Sequence, residues 1–112
     1  KGIYAIITPE RNRRIKMGIS EIKKILGKHK KELAEKYHVR EIGVFGSYVR
    51  NEQVEGSDID ILVDFSSPIS LFDFIDLEEE ISKLLKVKVD LVSRKALKPY
   101  IGQRVLQELQ TI

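Results

Sequence analysis

The chain has 112 residues, enough for one domain, with 42% apolar residues to build a core and 33% charged. It has no Cys, which excludes disulfides and thiolate metal sites, and no apolar run approaches the ~20 residues that span a bilayer. The net charge of +3 is uneven: residues 1–50 carry 13 Lys+Arg against 5 Asp+Glu, and residues 51–112 carry 7 against 12. These features lead us to expect a soluble, cytoplasmic protein that is not membrane-bound.

Residues 1–17 form an N-terminal extension in which Ile3–Ile7 could make a short strand ended by Pro9. Residues 18–112 form the domain. Ser20 reads as the N-cap of a helix over 21–37, with Ile22, Ile25, Leu26, Leu33 and Tyr37 as its apolar stripe. Lys23, Lys24, Lys28, Lys30 and Lys31 read as its solvated face, because no aromatic residues interleave with them to stack on bases. A strand over 41–45 is stopped by Gly46-Ser47, and Tyr48-Val49-Arg50 reads as a helical turn. Ser57–Phe65 is the clearest strand: Ile59, Ile61, Val63 and Phe65 alternate with Asp58, Asp60 and Asp64 on the opposite face.

Leu71–Leu85 reads as an amphipathic helix that buries Leu71, Phe74, Ile75, Ile81, Leu84 and Leu85. Val87–Val92 is a strand with a single acid, Asp90. Ala96–Leu109 reads as a helix with Pro99 in its first turn, where a missing N–H is harmless. The expected fold class is α+β, a small mixed β-sheet flanked by helices.

The chemistry lies in three places. Asp58 and Asp60 leave the same face of one strand with Cα atoms about 6.5–7 Å apart. Hard divalent cations prefer such carboxylate oxygens, and carboxylates at this spacing can hold a metal pair about 3.5–4 Å apart. Asp90, on a later strand, would complete the cluster and could accept a hydroxyl proton. Gly46-Ser47, ten residues before Asp58, would let backbone N–H groups and a hydroxyl cradle phosphate. An Asp-X-Asp or a Gly-Ser is common by itself, and only their joint order is specific.

Phe45-Gly46-Ser47-Tyr48-Val49-Arg50, Ser57-Asp58-Ile59-Asp60-Ile61-Leu62-Val63 and Val89-Asp90-Leu91-Val92 together resemble the minimal nucleotidyltransferases of the DNA polymerase β superfamily. The likeness runs from about residue 20 to the C-terminus and looks specifically like the MntA-type antitoxins that pair with HEPN-domain toxins. The resemblance implies that Asp58, Asp60 and Asp90 are catalytic metal ligands for two Mg²⁺ ions. It also implies that Gly46 and Ser47 bind the nucleotide's phosphates. One departure is Asn51, where many relatives have Gly after the arginine.

Arg50 reads equally as a partner of triphosphate oxygens or of a nearby carboxylate. Asp64, about 13 Å from Asp60, reads as a surface acid, and packing is the expected role of Tyr48 and Tyr100. The expected reaction is transfer of AMP from ATP to a tyrosine hydroxyl of a HEPN toxin. No residues are left over for an acceptor-binding domain, so the acceptor would dock as a separate molecule. Alternatives are neutralisation by binding alone, or transfer to RNA or a small molecule. The lack of a stacking surface argues against a nucleic-acid acceptor, and homo-oligomerisation is left open.

Overall fold

A computed structural model describes residues 17–112, and the expected strand at Ile3–Ile7 lies outside them. The order of elements is α1 (Ile19–Tyr37), β1 (Val39–Phe45), β2 (Ile59–Phe65), α2 (Leu71–Leu85), β3 (Val89–Ser93), a 3₁₀ turn (Arg94–Ala96), α3 (Pro99–Glu108) and β4 (Gln110–Thr111). The four strands form one mixed sheet in the order β3-β2-β1-β4. β1 runs antiparallel to β2 and β4, and β2 runs parallel to β3. No helix among the described residues is long and apolar enough to cross a membrane.

The period-2 pattern of β2 sends Ile59, Ile61 and Val63 to one side, where all three are fully buried. Ile42 and Val44 of β1 and Val89 and Leu91 of β3 join them in one core. α1 contributes Ile22, Leu26, Leu33 and Tyr37, and α2 contributes Leu77, Ile81 and Leu85. Each large side chain removed from water in this way stabilises the fold by roughly 1.5–3 kcal/mol before its ordering entropy is counted. The opposite side of β2 carries Asp60, Leu62 and Asp64, so the sheet itself separates core from chemistry.

The predicted helix over 71–85 is found with those bounds, N-capped by the Ser70 hydroxyl, which accepts from Asp73 N–H at 3.1 Å. Ile81 and Leu85 are buried as expected, Phe74 packs against the core, and Leu77 joins the buried face in place of Leu71 and Ile75. Leu77 and Ile81 are fully buried, whereas Leu71 and Ile75 are 72% and 44% exposed. The buried row of the helix is Leu77, Ile81 and Leu85, an i, i+4, i+8 stripe, so Leu71 and Ile75 fall outside it. α1 begins at Ile19 with Gly18 as its N-cap, and Ser20 lies in the first turn without a capping role. α3 begins at Pro99 instead of residue 96, because Arg94–Ala96 close a separate 3₁₀ turn.

Asp64 is a correction with energetic content. Expected at the surface, it is only 5% exposed and is paired with the exposed Arg40 on β1. Its other oxygen accepts the Phe65 N–H at 3.0 Å. The Arg40 hydrogen bond, followed by its charge, holds the Asp64 carboxyl below the usual carboxylate range despite burial. A depressed carboxylate stabilises the fold above its unfolded pKa, and that contribution is lost as pH falls through the folded value. Arg40→Ala removes the partner and leaves a buried carboxylate. Its acid-unfolding midpoint should therefore move to higher pH than wild type, read by circular dichroism; an unchanged midpoint would show that the pair is immaterial.

Candidate active site

β1 ends at Phe45, and the chain turns at Gly46 with φ +83°, a left-handed conformation that glycine adopts at no steric cost. The Gly46 carbonyl accepts from the N–H groups of Val49 at 3.0 Å and Arg50 at 3.2 Å, and the Ser47 carbonyl accepts from Glu52 N–H at 2.9 Å. This is the helical turn expected at 48–50. Asn51 ends the turn at φ 58°. Its identity, the departure noted in the sequence, is therefore physically sound, since Asn is the residue after Gly that best tolerates this region.

Gly46 also needs its hydrogen for a second reason. A Cβ built there would lie 3.0 Å from the Asp60 Cγ and closer still to the carboxylate oxygen. The turn's backbone thus rests directly against the central acid of the Asp-X-Asp pair. Asp60 is opposite Phe45 on β1 and opposite Asp90 on β3. Asp58 lies just before β2 begins, and Tyr48 packs beside it. Tyr48 is buried, and burial first, then the Asp58 charge, pushes its phenol up.

Burial, followed by the charges of Asp90 and Asp58, pushes the Asp60 carboxyl up, and Arg50 opposes the shift. The three predicted acids are therefore one electrostatic unit. They are not drawn into a closed metal cage: among the described residues no three acidic or imidazole side chains stand at ligand spacing. The donor chemistry nevertheless suits a hard dication. All three present carboxylate oxygens, none has a hydrogen-bond or ion-pair partner among the described residues, and their mutual repulsion is what bound positive charge would relieve.

The structure also adds a residue that the sequence did not suggest. Glu108, the last residue of α3, accepts the Gly46 N–H on Oε1 at 2.8 Å. The Arg50 guanidinium grips the same carboxylate at 3.1 and 3.0 Å and reaches Glu52 at 2.8 Å through Nε. Of the two roles open for Arg50, this structure shows the carboxylate partner. Nothing near Glu108 in the sequence marked it. Tyr100, expected to pack, is 69% exposed. His29 bonds Glu32 on the α1 surface and His38 caps that helix, so neither belongs to the site.

A nucleotidyltransferase domain model matches residues 26–112 of this chain. The chain belongs to the nucleotidyltransferase domain family. Among its relatives in that family is the protein adenylyltransferase MntA of Thermococcus cleftensis, 56% identical over 91 residues, which cover 81% of this chain and 92% of that protein. A solved structure described provisionally as a minimal nucleotidyltransferase aligns with a TM-score of 0.69 at 31% identity, over 86% of this chain and 97% of the other. A crystal structure of a toxin–antitoxin pair with AMP-PNP aligns with a TM-score of 0.64 at 27% identity, over 76% of this chain and 69% of the other. This nucleotidyltransferase therefore shares the α+β fold expected from its sequence, and the match covers the whole run from Gly46-Ser47 through Asp90.

Proposed function

We propose that this nucleotidyltransferase transfers AMP from ATP to a tyrosine hydroxyl of a HEPN-domain toxin and so acts as its antitoxin. The observation that carries the reading is the packing of the Gly46 turn against Asp60, with Asp58 and Asp90 charged around it, an arrangement that supports a phosphate cradle beside metal-binding carboxylates. The activity named for the Thermococcus relative and the nucleotide analogue in the toxin–antitoxin structure support protein adenylylation from ATP.

In this reading the Gly46 N–H, the Ser47 hydroxyl and the Arg50 guanidinium bind the β- and γ-phosphates and aim the α-phosphorus at the acceptor. Asp58, Asp60 and Asp90 would hold Mg²⁺, two ions by family resemblance, which when bound supplies charge neutralisation for the triphosphate. The acceptor oxygen forms a bond to the α-phosphorus, and the bridging α–β P–O bond breaks. Pyrophosphate leaves with that electron pair. Asp90, exposed at the edge of the cluster, takes the acceptor's proton. Asp60 is too enclosed by Gly46 for that role and serves as the fixed centre of the site.

The test is to incubate the protein with its genomically paired HEPN toxin, ATP and Mg²⁺ and measure the toxin's intact mass. The expected result is a gain of one or more AMP groups, lost when the accepting tyrosine is replaced by Phe. An unmodified toxin, under conditions where the two proteins and ATP bind, would overturn the reading.

A further inference from the structure

The groups suited to hold phosphate are already holding an anion. Glu108 places one carboxylate on the Gly46 N–H and on the Arg50 guanidinium together, at 2.8 to 3.1 Å. A backbone N–H at a glycine turn and an arginine fork are a phosphate's preferred partners. We propose that Glu108 is an internal stand-in for phosphate, seated in the cradle of the free enzyme, which the triphosphate displaces when it binds. The inference rests on the triphosphate reading above and adds to it a residue that sets how strongly the phosphates are held.

Glu108 is not in a comfortable place for its own helix. It is the last residue of α3, and that last turn contains no basic residue. A carboxylate there faces the negative end of the helix dipole. Its charge also adds to that of Asp58 and Asp90 around Asp60. Among the described residues, only Arg50 and the Gly46 N–H compensate it. Once an incoming phosphate takes those two donors, Glu108 is better placed in water.

The chain holds Glu108 over the cradle through the segment that follows it. Leu109 lies over Gly43, where a Cβ would come within 2.7 Å of the leucine Cδ1. The glycine inside β1 is thus the close-approach site that such a residue often marks. Gln110 and Thr111 then pair with Val44 and Gly43, and Ile112 N–H donates to the Ile42 carbonyl at 2.9 Å. β4, at two residues, is the shortest strand of the sheet. The Glu108 side chain, half-buried at 27% exposure, can leave without unmaking the core.

The test is calorimetric titration of Mg-ATP, and separately of inorganic tripolyphosphate, into the full chain and two variants. Glu108→Gln keeps the shape and an acceptor oxygen but removes the competing charge. Glu52→Gln removes the other Arg50 partner and leaves the Gly46 N–H occupied. Glu108→Gln should bind both ligands about 5–10-fold more tightly, because less of the free protein is in the occluded state, while Glu52→Gln changes little. Hydrogen exchange over residues 106–112 of wild type should rise on adding ATP. Equal or weaker binding by Glu108→Gln would overturn the inference, as would an equal gain by Glu52→Gln, which would reduce the effect to freeing Arg50. If wild type binds Mg-ATP and Glu108→Gln gains nothing, only this inference fails. If neither protein binds either ligand, the triphosphate reading fails with it.

Discussion

Asp60→Asn should reduce AMP transfer by at least about 10²-fold, and the double variant with Asp58→Asn should leave none measurable. Asp60 is central in three ways: it lies opposite Asp90 in the β2–β3 register, it touches the Gly46 turn, and its carboxyl feels Asp58, Asp90 and Glu108 together. Asp60 thus links the Gly46 turn to the other two acids. The same substitution should raise the melting temperature measured in EDTA. The Asp60 pKa is raised in the folded protein, so between its unfolded and folded values the native state binds more protons. Stability therefore falls as pH climbs through that window, and above the folded value the ionised carboxylate carries the full penalty. Asn removes the penalty with almost the same volume. Transfer is read by the toxin's intact mass and stability by a thermal melt. Wild-type transfer rates in Asp60→Asn would remove this residue from the chemistry, and a lower melting temperature would show that its charge is paired in solution.

Gly46→Ala should cost transfer about 10²-fold as well, by geometry instead of charge. The new methyl meets the Asp60 carboxylate, and the backbone at φ +83° adds strain of about 1–2 kcal/mol for any residue with a Cβ. The carboxylate, the turn or both must move. Gly56→Ala is the matched control. Gly56 has φ +90° but open space around its would-be Cβ. It should lose similar stability in a denaturant titration and keep its transfer rate. Equal transfer losses in the two variants would mean that strain, not the contact with Asp60, explains the Gly46 result.

Much of the fold was legible because its signals are local. The alternation in Ile59–Phe65 is written in consecutive residues, and the helix over Leu71–Leu85 has its cap and its period within its own span. The order Gly46-Ser47, Asp58-X-Asp60, Asp90 was likewise readable, since each residue type is constrained by what its backbone can do. Which side of α2 turned inward was only partly readable: Ile81 and Leu85 are buried as expected, but Leu71 and Ile75, in the first two turns, are not. Leu71, Ile75 and Leu77 are all apolar, and only the position of the sheet decided that Leu77 would be the one enclosed.

Determined by the sequence itself, then, were the three helices, the strands β1 to β3 and the acid-bearing face of β2. Only the tertiary structure decided where distant charges met. Arg40 reached Asp64 across the β1–β2 pair, although Asp64 had read as a surface acid. Glu108 reached Gly46 and Arg50 from about sixty residues away, because Gly43 lets Leu109 settle onto β1 and β4 closes the sheet edge. Local periodicity acts over a few residues, whereas a charge finds its partner in space. The carboxylate in the phosphate cradle could therefore be seen only once the chain had folded back on itself.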